Sequence, residues 1–87
     1  MAVIQTYEAA HLSGAATYIV LDGPGVLHSI VVGTAGTTVT VYDNTAGSGD
    51  KITTIGAVTG TFTFDVALTV GLTVVIVGAA DVTVLTT

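Results

Sequence analysis

Thirty-eight of the 87 residues are valine, isoleucine or threonine. A side chain branched at Cβ loses rotamer freedom against the preceding turn of a helix but packs well on a pleated surface. Strand is therefore the default state of the apolar runs in this chain. The runs are short, and 11 glycines stand mostly between them, as short strands joined by tight turns require. The expected class is all-β.

Taken in order, Ala2 to Tyr7 reads as an extended arm or a first strand, and Glu8 to Gly14 as a weakly patterned connector with room for one helical turn. Thr17 to Leu21 reads as a strand, closed by Asp22-Gly-Pro-Gly25, where proline fixes φ and glycine permits positive φ. Val26 to Val32 and Thr38 to Tyr42 follow, and the Gly33-Thr-Ala-Gly36 turn between them reads as that of a hairpin. Asp43 to Gly49 is the longest polar tract and is expected to be a surface loop leading into a strand that ends at Ile55. From Gly60 the period of two is clearest: Phe62, Phe64, Val66 and Leu68 share one face, while Thr61, Thr63 and Asp65 share the other.

Leu72 to Val77 is apolar on both faces, so it is central in a sandwich or covered by another subunit. Val82 to Leu85 closes the fold. Val32-Gly-Thr-Ala-Gly36 with Val39-Thr-Val41 is echoed by Val77-Gly-Ala-Ala-Asp81 with Val82-Thr-Val84, one pair of matching hairpins rather than a solenoid period. The expected architecture is one small β-sandwich over 15–87, jelly-roll-like, with seven or eight short strands, preceded by an arm or connector over 1–14.

Charge bounds function more tightly than hydropathy does. A folded monomer of 8.6 kDa exposes roughly 4,700 Å², yet six acids and one lysine are all the formal charge that is present. A net charge of −5 argues against recognition of a phosphate backbone, which needs clustered lysine and arginine, and disfavours anionic membranes. The uncharged stretch Val66 to Ala80 is shorter than the roughly 20 residues of a transmembrane helix and contains Gly71 and Gly78. The N-terminus lacks the basic and apolar regions of a signal peptide. Cysteine is absent, which removes a disulfide framework and fits manufacture in a reducing compartment. For so short a chain, oligomerisation is the remaining source of robustness.

No constellation points to catalysis, and no cofactor or metal is expected. The two histidines, His11 and His28, have no neighbouring nucleophile and base in sequence. His28 falls on an apolar face if it alternates with Val26 and Ile30, where a hydrogen-bonded structural role is the ordinary one. The Asp43 to Asp50 loop holds oxygen ligands of the kind calcium takes, but it matches no calcium-loop spacing, and Asp and Asn beside Gly are ordinary turn chemistry. Gly47-Ser-Gly-Asp-Lys51 departs from a phosphate loop, because a strand rather than a helix follows. The pairs Thr38/Thr40 and Thr61/Thr63 are too few for an ice-binding ladder and read as solvent faces of strands. With no tryptophan and only five aromatic residues, a carbohydrate-binding module is the weaker reading.

Gly25-Val-Leu-His-Ser-Ile-Val-Val-Gly33, Thr38-Val-Thr-Val-Tyr-Asp-Asn-Thr-Ala-Gly-Ser-Gly49 with Lys51-Ile52, Gly71-Leu-Thr-Val-Val-Ile-Val77 and Asp81-Val-Thr-Val84 stand in an order that resembles small β-rich virion proteins of tailed bacteriophages. The resemblance covers about residues 25 to 85. It implies a jelly-roll-like sandwich, a symmetric homo-oligomer with a trimer favoured, and a place on the virion as a capsid decoration or cement protein that bridges subunits of the major capsid protein after manufacture in the host cytoplasm. A fibre or knob module that touches a receptor is the alternative. Val3, Ile4, Tyr7, Val75 and Val77 are the candidate subunit or capsid interface, and Asp43, Asn44, Ser48 and Asp50 the candidate exposed loop tip.

Overall fold

The computed structural model describes residues 7–87. Eight strands follow one another: β1 (Glu8–Ser13), β2 (Ala16–Leu21), β3 (Gly25–Thr34), β4 (Thr38–Asp43), β5 (Asp50–Ile55), β6 (Gly60–Leu68), β7 (Leu72–Val77) and β8 (Asp81–Thr86). They form two four-stranded antiparallel sheets, sheet A in the order β1-β8-β3-β6 and sheet B in the order β2-β7-β4-β5. The chain changes sheet at every connection except β4 to β5, the strand order of a jelly roll. The fold is a single small all-β sandwich, as the alternation and turn chemistry predict.

The core is what the period of two leaves between the sheets. Sheet A contributes Leu12, Ile30, Val82 and Val84, and sheet B contributes Val39, Val41, Leu72, Val74 and Ile76, all buried. Phe62 and Phe64 are half-buried and pack against this layer from the edge strand β6. Aliphatic side chains of similar size thus fill the centre, and the aromatics close its flank.

Two expectations are corrected. Glu8 to Gly14 is not a connector with a helical turn: Glu8–Ser13 pairs along its whole length with β8, Glu8 opposite Thr86 and Ser13 opposite Asp81. Its own side chains bury little beyond Leu12, so pairing with a neighbour 70 residues away, rather than local pattern, makes it a strand. The part of the predicted arm before residue 7 lies outside the described residues.

The second correction concerns the hairpins. β3 lies in sheet A and β4 in sheet B, so the turn between them crosses from one sheet to the other, and the same is true of β7 and β8. Both strands of each pair carry an apolar face, and facing each other across the core buries both faces, whereas side-by-side pairing would leave that burial to other elements. The echoed segments are therefore two crossing corners, and they pack on each other. Thr37 N–H donates to Val77 O at 2.8 Å, and Gly78, at φ +86°, has the Thr37 nitrogen 2.8 Å from where a Cβ would sit. A side chain at either requirement, close approach or positive φ, is excluded there.

Candidate functional site

The β4–β5 loop, expected to be an open tip, is held down by its own first residues. Asp43 ends β4 and turns its carboxylate to the β6–β7 turn, where it accepts from the backbone N–H groups of Thr69 (3.1 Å to each oxygen), Val70 (3.0 Å) and Gly71 (3.3 Å), and from Thr69 Oγ1 at 3.0 Å. Asn44 continues the clasp. Its Nδ2 donates to Ser48 O at 2.7 Å, its Oδ1 accepts from Thr45 N–H at 2.8 Å, and its carbonyl accepts from Thr73 Oγ1 at 2.8 Å. Of the four predicted tip residues, only Ser48 and Asp50 are exposed; Asp43 and Asn44 are half-buried and committed to internal bonds.

The donated N–H groups of Val70 and Thr69 stabilise the ionised carboxylate and lower the pKa of Asp43 from 3.8 to about 2. A folded pKa depressed in this way contributes stability above the ordinary carboxylate pKa, and that contribution is lost as pH falls from about 4 toward about 2. Asp43→Asn is expected to lower the melting temperature at neutral pH and to flatten its fall over that acid window. Thermal melts taken across the window check this, and parallel curves for the two proteins would show that Asp43 is not the acid-sensitive clasp.

Folded over by this clasp, the loop lies on the outer face of sheet B. Thr73 is fully buried beneath it although it points away from the core, and Gly47 sits so close to Val75 that a Cβ would stand 3.0 Å from Val75 Cγ2. Val75 is half-buried for that reason, while Val77, one step further from the loop, is 49% exposed. The remaining outer wall is Thr17 and Ile19 on β2, Thr38 and Thr40 on β4, and Thr54 on β5, with Thr17, Val75, Thr40 and Thr54 directly opposite one another across the four strands. Tyr42 and, on the edge strand, Lys51 continue the row of Ile19 and Thr73, so the wall is neutral but for that edge lysine.

The outer face of sheet A is different. β3 slips register between Leu27 and Ser29 against both neighbours, and β6 answers with Asp65 at φ +51°, so each strand carries a bulge at the same level. The expected alternation of His28 with Val26 and Ile30 breaks there: Ile30 is fully buried, whereas His28 points outward, with Nδ1 2.6 Å from Asp65 Oδ1. Tyr7 stacks on the His28 ring at a centroid distance of 4.0 Å. His11, at the other end of the sheet, pairs through Nε2 with Asp81. The predicted interface set is thus divided: Tyr7 belongs to sheet A, Val75 and Val77 to sheet B, and Val3 and Ile4 lie outside the described residues. Both histidine–carboxylate pairs escaped sequence reading, since their partners are 37 and 70 residues away and no local spacing marks them.

Comparison with protein-family models, with curated proteins and with solved structures returned no match.

Position along the sheets sorts the charges. Glu8 and His11 lie on edge strand β1, Asp50 and Lys51 on edge strand β5, Asp65 on edge strand β6, and Asp22, Asp43 and Asp81 at strand ends or turns. His28 alone stands within a central strand. Among the described residues, no group of three histidines or acids gathers around a point where a metal ion could be held, and no helix is long and apolar enough to cross a membrane. The chain exposes 4625 Å², ordinary for its mass, so the scarcity of charge leaves broad neutral faces rather than a reduced surface.

Proposed function

We propose that the chain is a structural virion protein of a tailed bacteriophage, a capsid decoration or cement protein that oligomerises and bridges neighbouring subunits of the major capsid protein. The observation that carries this reading is the outer wall of sheet B, neutral except for Lys51 on its edge strand, on a jelly-roll sandwich. Jelly rolls serve in viral capsid and lectin domains alike, and a fold alone does not choose between functions; the resemblance over residues 25 to 85 favours the virion. A neutral wall of threonine and valine is desolvated on contact without stranding a charge, the term that most often makes an interface unfavourable. On a shell, three such subunits at a local threefold point would tie adjacent capsid subunits together and oppose the pressure of packaged DNA. The work done is binding, with no chemical step.

Purified phage heads test the reading. The protein is expected to copurify with heads in copy numbers that scale with the capsid lattice, and heads stripped of it are expected to release DNA at lower temperature than restored ones. Attachment at a few points on the particle would favour the fibre or knob alternative, for which the exposed β5–β6 turn, with Val58 51% exposed, is a suitable tip. A monomer with no affinity for shells would refute the cement reading.

A further inference from the structure

The two free edges of sheet B differ from those of sheet A in a way that selects a partner. On sheet A, β1 carries Glu8, and β6 carries Asp65 on a bulge; both edges present acid, and neither presents a lysine. On sheet B, β5 carries Lys51, the one lysine of the chain, directly after Asp50, and β2 is uncharged until Asp22 follows its last residue. Lys51 and Asp22 are both exposed, and among the described residues the only ion pairs are those of the two histidines. The single cation and an unpaired acid therefore stand on opposite edges of one sheet.

They also stand at the same end of it. Ile19, Thr73, Tyr42 and Lys51 form one row across the four strands. The register slip between Ile19 and Leu21 sets Leu21 opposite Leu72, so Asp22 falls about two positions, roughly 7 Å, beyond the row of Lys51. β2 and β5 run in opposite directions, because each successive pair in β2-β7-β4-β5 is antiparallel. A neighbouring copy rotated about an axis to which the strands are tilted, as in a closed sheet, would thus bring its β2 antiparallel to β5 with a stagger along the strands. A stagger of two residues, which keeps inward and outward faces in phase, then sets Asp22 beside Lys51.

We propose that sheet B continues from one copy of this chain to the next, the β5 edge of one subunit pairing with the β2 edge of its neighbour and Lys51 meeting Asp22 across the contact. This rests on the reading that the chain is a homo-oligomer and names the contact that builds it. The contact is heterologous and closes a ring when successive rotations return to the first copy, and the copies keep their sheet B walls continuous around it. For molecules of net charge −5, this is the edge-to-edge approach in which an acid meets the one lysine, with Asp50 of the same edge beside the pair.

Native mass spectrometry of the full chain, with titration of the dissociation constant, tests it. Lys51→Glu and Asp22→Lys are each expected to weaken assembly about tenfold, and the double variant with the charges exchanged is expected to recover to within about threefold of the parent. Glu8→Lys, on the edge of sheet A, leaves assembly unchanged, and circular dichroism establishes that every variant is folded. A lysine on an edge strand can also serve to repel other strands; in that case Lys51→Ala would strengthen association, and that result overturns the proposal. An oligomer unmoved by any of these changes overturns the contact while leaving capsid binding to stand, and a parent chain that is monomeric overturns the contact and the homo-oligomer together.

Discussion

Leu27→Ala is expected to cost about 2–5 kcal/mol of folding stability. Leu27 is fully buried and is among the largest side chains with no exposure. It sits immediately before the bulge at which β3 changes phase, opposite Val66 on β6 and Thr86 on β8, so strands on both sides fix the walls of the cavity and limit its collapse. An 87-residue domain at about 0.05–0.15 kcal/mol per residue has roughly 4–13 kcal/mol in total, and the low end of the loss already takes a large share of the low end of that range. Urea titration checks it, together with a melting temperature expected to fall by about 8–16 °C at the smallest loss. Val77→Ala, on the exposed outer wall, is the contrast and is expected to stay within about 0.5 kcal/mol of the parent. Equal effects at the two sites would mean that the core does not lie between Leu27 and the strands facing it.

The contrast between these two positions marks how much of the fold can be read locally. Alternation along Phe62, Phe64, Val66 and Leu68 identifies the inward face of β6, and Asp22-Gly-Pro-Gly25 identifies a turn, because both signals lie within a few residues. What alternation does not encode is which sheet a strand joins. Val26 to Val32 and Thr38 to Tyr42 are each correct as strands, and the short turn between them is equally compatible with a hairpin and with a crossing corner. The choice is made by burial of both apolar faces at once, a property of the whole sandwich. β1 fails for the opposite reason: Ala9, Ala10, His11 and Ser13 have little intrinsic preference for a strand, and the open edge of β8 supplies the order.

The candidate site divides along the same line. That the walls are neutral and the charges peripheral is legible from composition and turn positions. That Asp43 is a clasp is not, because its acceptor role depends on Thr69 to Gly71, brought to it only by the β6–β7 turn. Asp and Asn before glycines are ordinary loop formers, and that common role hides the specific one. The consequence reaches function: the clasp, more than exposure of the loop, decides how much of sheet B's outer wall is free to meet a partner, and Ser48 and Asp50 rather than Asp43 and Asn44 are what a partner would touch at that end.

Gly71→Ala is expected to cost about 1–3 kcal/mol, while the same change at Gly56 is neutral or stabilises by up to about 1 kcal/mol. Gly71 is buried where three elements converge. A Cβ there would stand 2.6 Å from Leu21 O, 2.9 Å from Thr45 Cγ2 and 3.3 Å from Asn44 O, and two of those atoms are backbone that cannot rotate away. Its N–H also donates to Asp43, so relief of the clash by moving the β6–β7 turn outward would pull the turn off the clasp. Gly56, in the exposed β5–β6 turn, has nothing within 4 Å of its Cβ position, and alanine there only narrows the unfolded ensemble. Chemical denaturation of the two variants separates them by sign. Because the displaced segments are the end of β2 and the start of the loop over sheet B, the proposed self-association is also expected to weaken in Gly71→Ala and to be unchanged in Gly56→Ala. A Gly71→Ala protein as stable as the parent would show that Leu21, Asn44 and Gly71 are not packed against one another, and with that the clasped loop would no longer account for the burial of Thr73.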